Sequence, residues 1–172
     1  MSILRDGKLH LYGTVGAYLW DFEFFTSAEV IDALAEHGPG DVDVLVSSGG
    51  GDSAEGITIS NAFKLHDGRV TVKVIGEAFS AASILAMGAD EVVILATAEM
   101  MVHEPATMIA GTALDMESAI QRLKGRTTSM AKAYSQKTGR TEAQVRADMA
   151  AETWMTADEA VSLGYADRVE PG

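Results

Sequence analysis

The chain has 172 residues, 47 % of them apolar and 22 % charged, which suits one soluble globular domain spanning 1–172. Thirteen basic against 25 acidic side chains leave a net charge of −12, so phosphate backbones and anionic membranes are poor partners for its surface. The absence of cysteine excludes disulfides, thiolate metal sites and a cysteine nucleophile, and is compatible with a reducing cytoplasm.

At the N-terminus, Met1 to Asp6 carry no apolar signal-peptide core, and no apolar run reaches the roughly 18 residues that a membrane helix needs. The expected location is cytoplasmic. Lys8 to Tyr12 are predicted as a strand ended by Gly13 and Gly16. Thr26 and Glu29 have capping-box spacing, with Val30, Ile31, Leu34 and Ala35 as the apolar face of the helix that follows and His37, Gly38 and Pro39 as its stop. Val42 to Val46 then predicts a strand, Ser47 to Asp52 a glycine-rich turn and Ser53 to Leu65 a helix. The pattern recurs as a strand over Val70 to Ile75, a turn over Gly76 to Phe79 and a helix over Ser80 to Met87. Short strands follow at Val92 to Leu95 and Met100 to Val102. Two consecutive strand-turn-helix units with short connections imply an α/β class with parallel strands.

Beyond Gly111, Met116, Ile120, Leu123, Thr127, Met130 and Tyr134 mark one stripe of a helix about 25 residues long, or roughly 37 Å. Periodicity alone leaves two arrangements open: a helix lying across the core, or one projecting to meet another subunit. Thr141 with Gln144, and Thr156 with Glu159, are two further capping-box pairs, and Ala166 to Val169 predicts a last strand.

Three features carry chemistry. Ser80 follows a tight turn at the start of a helix, where the backbone lifts a hydroxyl out of the sheet and the helix end favours developing negative charge; a plain N-cap role is the alternative. Of four histidines, His103 stands at a strand end ahead of Glu104 and Pro105, where α/β sheets present functional groups, although it could equally anchor a loop. Gly49, Gly50 and Gly51 can aim backbone amides at one point, as a nest for an anion or a polarised carbonyl. The lysine and hydroxyl of a phosphate-binding loop do not follow them. No two histidines share a face with carboxylates, so no metal is expected. Spacing does not choose an acid for His103 from the 25 available.

These segments resemble the Clp protease family, and within it the phage-type head maturation (prohead) proteases. The resemblance runs from about Leu9 to Val169. Ser48-Gly-Gly-Gly-Asp52 with Gly56 is similar to the family's Ser-Pro-Gly-Gly turn and following glycine. Gly76-Glu-Ala-Phe-Ser80 is similar to its Gly-x-Ala-Ala-Ser segment, and Met100-Met-Val-His-Glu-Pro105 to its Met-Ile-His-x-Pro. The segment from Glu152-Thr-Trp-Met-Thr156 to Gly164-Tyr-Ala-Asp167 resembles the phage-type ending.

The resemblance implies a ClpP/crotonase-like fold of repeated ββα units, with a protruding handle helix at about 113–137 that joins subunits into rings. It implies a serine endopeptidase with Ser80 as nucleophile, His103 as base and Asp148 as orienting acid, Glu152 being the less favoured substitute. Gly51 and Ala81 would supply the oxyanion hole, with no cofactor. Two departures stand out: Gly49 where the family has proline, and Phe79 where it has alanine, narrowing the substrate channel. An N-terminus too short for the axial loops that dock an ATPase, with the phage-like ending, points to ATP-independent processing of capsid or scaffold protein, in the host cytoplasm or procapsid interior. The alternatives are an ATP-dependent Clp proteolytic subunit, a catalytically silent ring scaffold or adaptor, and a crotonase-type acyl-CoA enzyme.

Overall fold

The computed structural model describes residues 2–17 and 23–171, so the outermost residues of the expected domain, Met1 and Gly172, lie outside it. Its spine is a sheet in the order β1 (Leu4–Arg5), β2 (Lys8–Val15), β4 (Val42–Gly51), β5 (Val70–Phe79), β6 (Glu91–Leu95) and β9 (Arg168–Glu170). Pairing from β2 through β9 is parallel, and only the short β1 runs antiparallel. Along β4, Val42, Val44, Val46, Ser48 and Gly50 are buried while their neighbours are half-buried or exposed. Alternation of this kind puts one face against the core and leaves the other less covered. Helices α1 (Ser27–His37), α2 (Ser53–Lys64) and α3 (Ala81–Ala86) follow their strands as the sequence predicts, with α2 packed between α1 and α3. The expected α/β class with parallel strands is what the chain adopts.

Strands outlast the predicted turns. The expected turn at Ser47 to Asp52 is the end of β4, because Gly50 and Gly51 continue pairing with Thr14 and Val15 after a shift in register. The expected turn at Gly76 to Phe79 is likewise the end of β5. There the strand leaves β6 and takes a new partner, β7 (Glu99–Val102), through Glu77↔Glu99 and Phe79↔Met101. On its far side β7 pairs antiparallel with β8 (Thr153–Thr156), a strand the sequence did not predict. Another unpredicted strand, β3 (Phe24–Phe25), adds to β2. The last strand starts later than expected because Tyr165 and Ala166 spend their amides on Ala160 O, closing α6 (Ala157–Ser162).

The long helix α4 (Ala113–Thr138) has 26 residues, close to the expected handle. Thr112 and Asp115 form a capping box at its start, and Gly139, at φ 70°, ends it in the left-handed conformation. The C-terminal half of this helix lies against the core, the first of the two arrangements that the periodicity left open. Met130, Ala131 and Tyr134 are buried, whereas Leu114, Met116 and Ile120 on the N-terminal half are exposed. In α1 the buried face is Val30, Ala33 and Leu34; Ile31 and Ala35, expected inside, face out. None of the described helices is long and apolar enough to cross a membrane.

Candidate active site

The turn from β5 into α3 sets Ser80 at φ 54° and ψ −119°, a region that non-glycine residues rarely occupy. The conformation is held from both sides. Ser80 N donates to Met101 O at 2.9 Å, while Ser80 O accepts from the amides of Ser83 and Ile84. The Ser80 side chain makes no cap to its own helix. It goes instead to His103, whose Nε2 lies 2.7 Å from Ser80 Oγ. His103 is the first residue after β7, and β7 pairs with the strand that ends at Ser80, so two adjacent parallel strand ends deliver the two side chains.

Close backbone approach at this corner requires glycine. A Cβ on Gly50 would lie 2.6 Å from Phe79 O and 2.8 Å from Ser80 Cβ, and the residue sits at φ 98°. A Cβ on Gly56 would lie 2.6 Å from Ala81 O, so this glycine lets α2 press onto α3. The Gly50 amide is engaged by Ser48 Oγ at 3.1 Å. Gly51 lines the same cleft as Ser80 and His103, a cavity of about 500 Å³ completed by the Pro105 to Ile109 segment and the side of α4. Ala81 is the first residue of α3, where an amide has no acceptor within the helix.

Asp148 is not where the resemblance puts it. The structure joins Ser80 and His103 but leaves Asp148 in another cluster. It lies on α5 (Glu142–Ala150), and Arg140 grips its carboxylate through both guanidinium nitrogens, Nη2 reaching Oδ1 at 3.1 Å and Nη1 reaching Oδ2. Oδ2 also accepts from Tyr165 OH at 2.7 Å. This pairing holds the Arg140 guanidinium above its usual range, and burial with the Asp148 bond pushes the Tyr165 phenol well up. Both Asp148 oxygens are thus engaged by Arg140 and Tyr165, and neither bonds to His103.

The acid beside His103 is Glu152, with Oε2 3.9 Å from His103 Nδ1. That is ion-pair range, short of a hydrogen bond. Its position follows from sheet register. Val102 pairs with Thr153, so the residue just after β7, His103, faces the one just before β8, Glu152. Glu152 holds φ 50°, a second strained non-glycine position, and 57 % of its side chain is exposed. The sequence offered no direct signal for this, because β8 is four residues long and shows itself only through its partner.

Buried hydrogen bonds tie the Ser80 turn to α4. Ser83 Oγ lies 2.7 Å from both Ser80 O and Tyr134 OH, and burial drives the Tyr134 phenol far above its normal range. Tyr134 in turn meets Tyr165 edge-on, with ring centroids 5.4 Å apart. Phe79, expected to narrow the channel, does not line the cleft; it packs edge-on against Trp154 at 5.0 Å and braces β8. Among the described residues there is no cluster of three acids or histidines that could hold a metal ion.

The Clp protease family model matches residues 26–171, most of the chain and every element of this site. The chain belongs to the Clp protease family. Among its relatives is an ATP-dependent Clp protease proteolytic subunit 2 of Bacillus licheniformis, 28 % identical over 145 residues, which are 83 % of this chain and 76 % of that one. Another is an ATP-dependent Clp protease proteolytic subunit 1 of Protochlamydia amoebophila, 32 % identical over 129 residues, covering 73 % of this chain and 63 % of that one. A solved structure of a ClpP1 variant from Listeria monocytogenes superposes with a TM-score of 0.83 over 96 % of this chain and 92 % of that one. At 19 % identity that likeness speaks for the Clp fold.

Proposed function

We propose that this Clp-family chain is a serine endopeptidase in which Ser80 attacks, His103 shuttles the proton and Glu152 orients His103. The observation that carries the reading is the 2.7 Å approach of His103 Nε2 to a Ser80 hydroxyl that its own helix does not use. With the imidazole proton on Nδ1, Nε2 accepts the Ser80 proton as Oγ bonds to the scissile carbonyl carbon. The oxyanion then forms beside the amides of Gly51 and Ala81, donors worth roughly 3 kcal/mol each in comparable sites. Collapse of this intermediate breaks the peptide C–N bond, and His103 returns the proton to the leaving amine. Water, activated by the same imidazole, hydrolyses the acyl-enzyme.

Glu152 replaces Asp148 in the orienting role because it adjoins Nδ1 while Asp148 is consumed by Arg140 and Tyr165. A shift of about 1 Å in the exposed Glu152 side chain brings it to hydrogen-bond length.

Self-association into rings through the handle fits the exposed Leu114, Met116 and Ile120 on its N-terminal half. The relatives' names favour a proteolytic subunit of an ATP-dependent protease. Processing of capsid or scaffold protein draws on the phage-like segment from Glu152 to Asp167, and the relatives named above lend it no support.

The test is turnover of unfolded casein and fluorogenic peptides by the wild type and by Ser80→Ala. The variant should lose activity by on the order of a millionfold, to background. Undiminished turnover by Ser80→Ala would falsify the reading.

A further inference from the structure

One wall of the cleft that holds Ser80 comes from α4, through Ala119, Arg122, Leu123, Arg126 and Met130. Spacings of three and four residues put these on one helix face, with two guanidinium groups a turn apart. Arg122 is exposed and Arg126 half-buried. Among the described residues, the arginines with carboxylate partners are Arg69, Arg140, Arg146 and Arg168, and neither cleft arginine is one of them. Asp115 feels the charge of Arg122, but its carboxylate is occupied mainly by the hydrogen bonds of the Thr112 cap.

The cleft has one acidic lining residue, Asp52, and that carboxylate already accepts the Ala54 and Glu55 amides at the start of α2. Two positive charges therefore face the cavity with no committed counter-charge, on a chain whose net charge is −12. A guanidinium presents paired N–H donors that match a carboxylate.

We infer that Arg122 and Arg126 select peptides carrying a glutamate or aspartate side chain close to the scissile bond. This rests on the reading that the cleft beside Ser80 takes the substrate. Binding is measured by fluorescence anisotropy on the full chain carrying Ser80→Ala, with three labelled peptides that differ only in one Glu, Gln or Lys. The Glu peptide should bind about tenfold tighter than the Lys peptide, a difference of 1.4 kcal/mol, and the gap should shrink as salt is raised.

Arg122→Gln with Arg126→Gln should close the gap, and the double Glu variant should reverse it, with circular dichroism confirming the fold. Equal binding of all three peptides, or a preference unchanged in the double Gln variant, overturns the inference. Wild-type turnover of the same peptides separates the two claims. Selective binding without turnover keeps the charge selection and removes the peptidase reading. Equal turnover of all three does the reverse.

Discussion

Asp148 and Glu152 stand four residues apart and have opposite fates. Asp148 lies at the end of a helix with both oxygens filled by Arg140 and Tyr165, and 16 % of its side chain is exposed. Glu152 sits on a strained turn, more than half exposed, with its Oε2 3.9 Å from His103 Nδ1. The first is a carboxylate engaged by Arg140 and Tyr165 in holding the chain in place. The second retains free acceptor sites beside a base, which is what orienting an imidazole needs. The two are coupled, since Thr153 Oγ1 donates to Asp148 O at 2.8 Å and so ties the Glu152 turn to the clasp.

Substitutions can break this contrast. Glu152→Gln should lower kcat about a hundredfold to a thousandfold with the melting temperature unchanged. The loss stays below the roughly 10⁴ of a buried triad acid because water can replace an exposed carboxylate. A variant that retains full kcat would remove Glu152 from the site. Gly50→Ala tests the corner that holds the nucleophile. Its new Cβ would meet Phe79 O at 2.6 Å, and a displacement of Ser80 by about 1 Å should cost roughly a hundredfold in kcat. Wild-type kinetics there would mean that Ser80 tolerates movement.

Asp148→Asn should act on stability. Weakening a half-buried ion pair with Arg140 is expected to cost about 2 kcal/mol, less than the 3–5 kcal/mol of a fully buried pair. For a domain of this size that lowers Tm by roughly 4–8 °C by calorimetry. Below the transition kcat should change by less than about tenfold. A kcat loss larger than that of Glu152→Gln, at constant Tm, would return the orienting role to Asp148.

Much of the fold was legible because local chemistry announces it. The capping pairs Thr26–Glu29, Thr141–Gln144 and Thr156–Glu159 all form, and Ser80 stood out after a tight turn at a helix start and His103 at a strand end. Non-local pairing was not legible. The ends of β4 and β5 contain glycines that read as turns, and they become strand only because a parallel neighbour supplies the ladder. The acid that lies beside His103 was ranked second for the same reason. Counting along the chain reaches Asp148, whereas the register of β7 against β8 selects Glu152. Neither the guanidinium clasp on Asp148 nor the phenol of Tyr165 can be placed without tertiary structure.

The central claim is that the Ser80 hydroxyl is activated by His103, and the most direct measurement is the rate and location of its covalent labelling by a fluorophosphonate. Peptide mapping by mass spectrometry should find one adduct, on the peptide containing Ser80, and His103→Ala should slow its formation at least about a hundredfold. An adduct on a different serine, or labelling of Ser80 at the same rate without His103, would contradict the account.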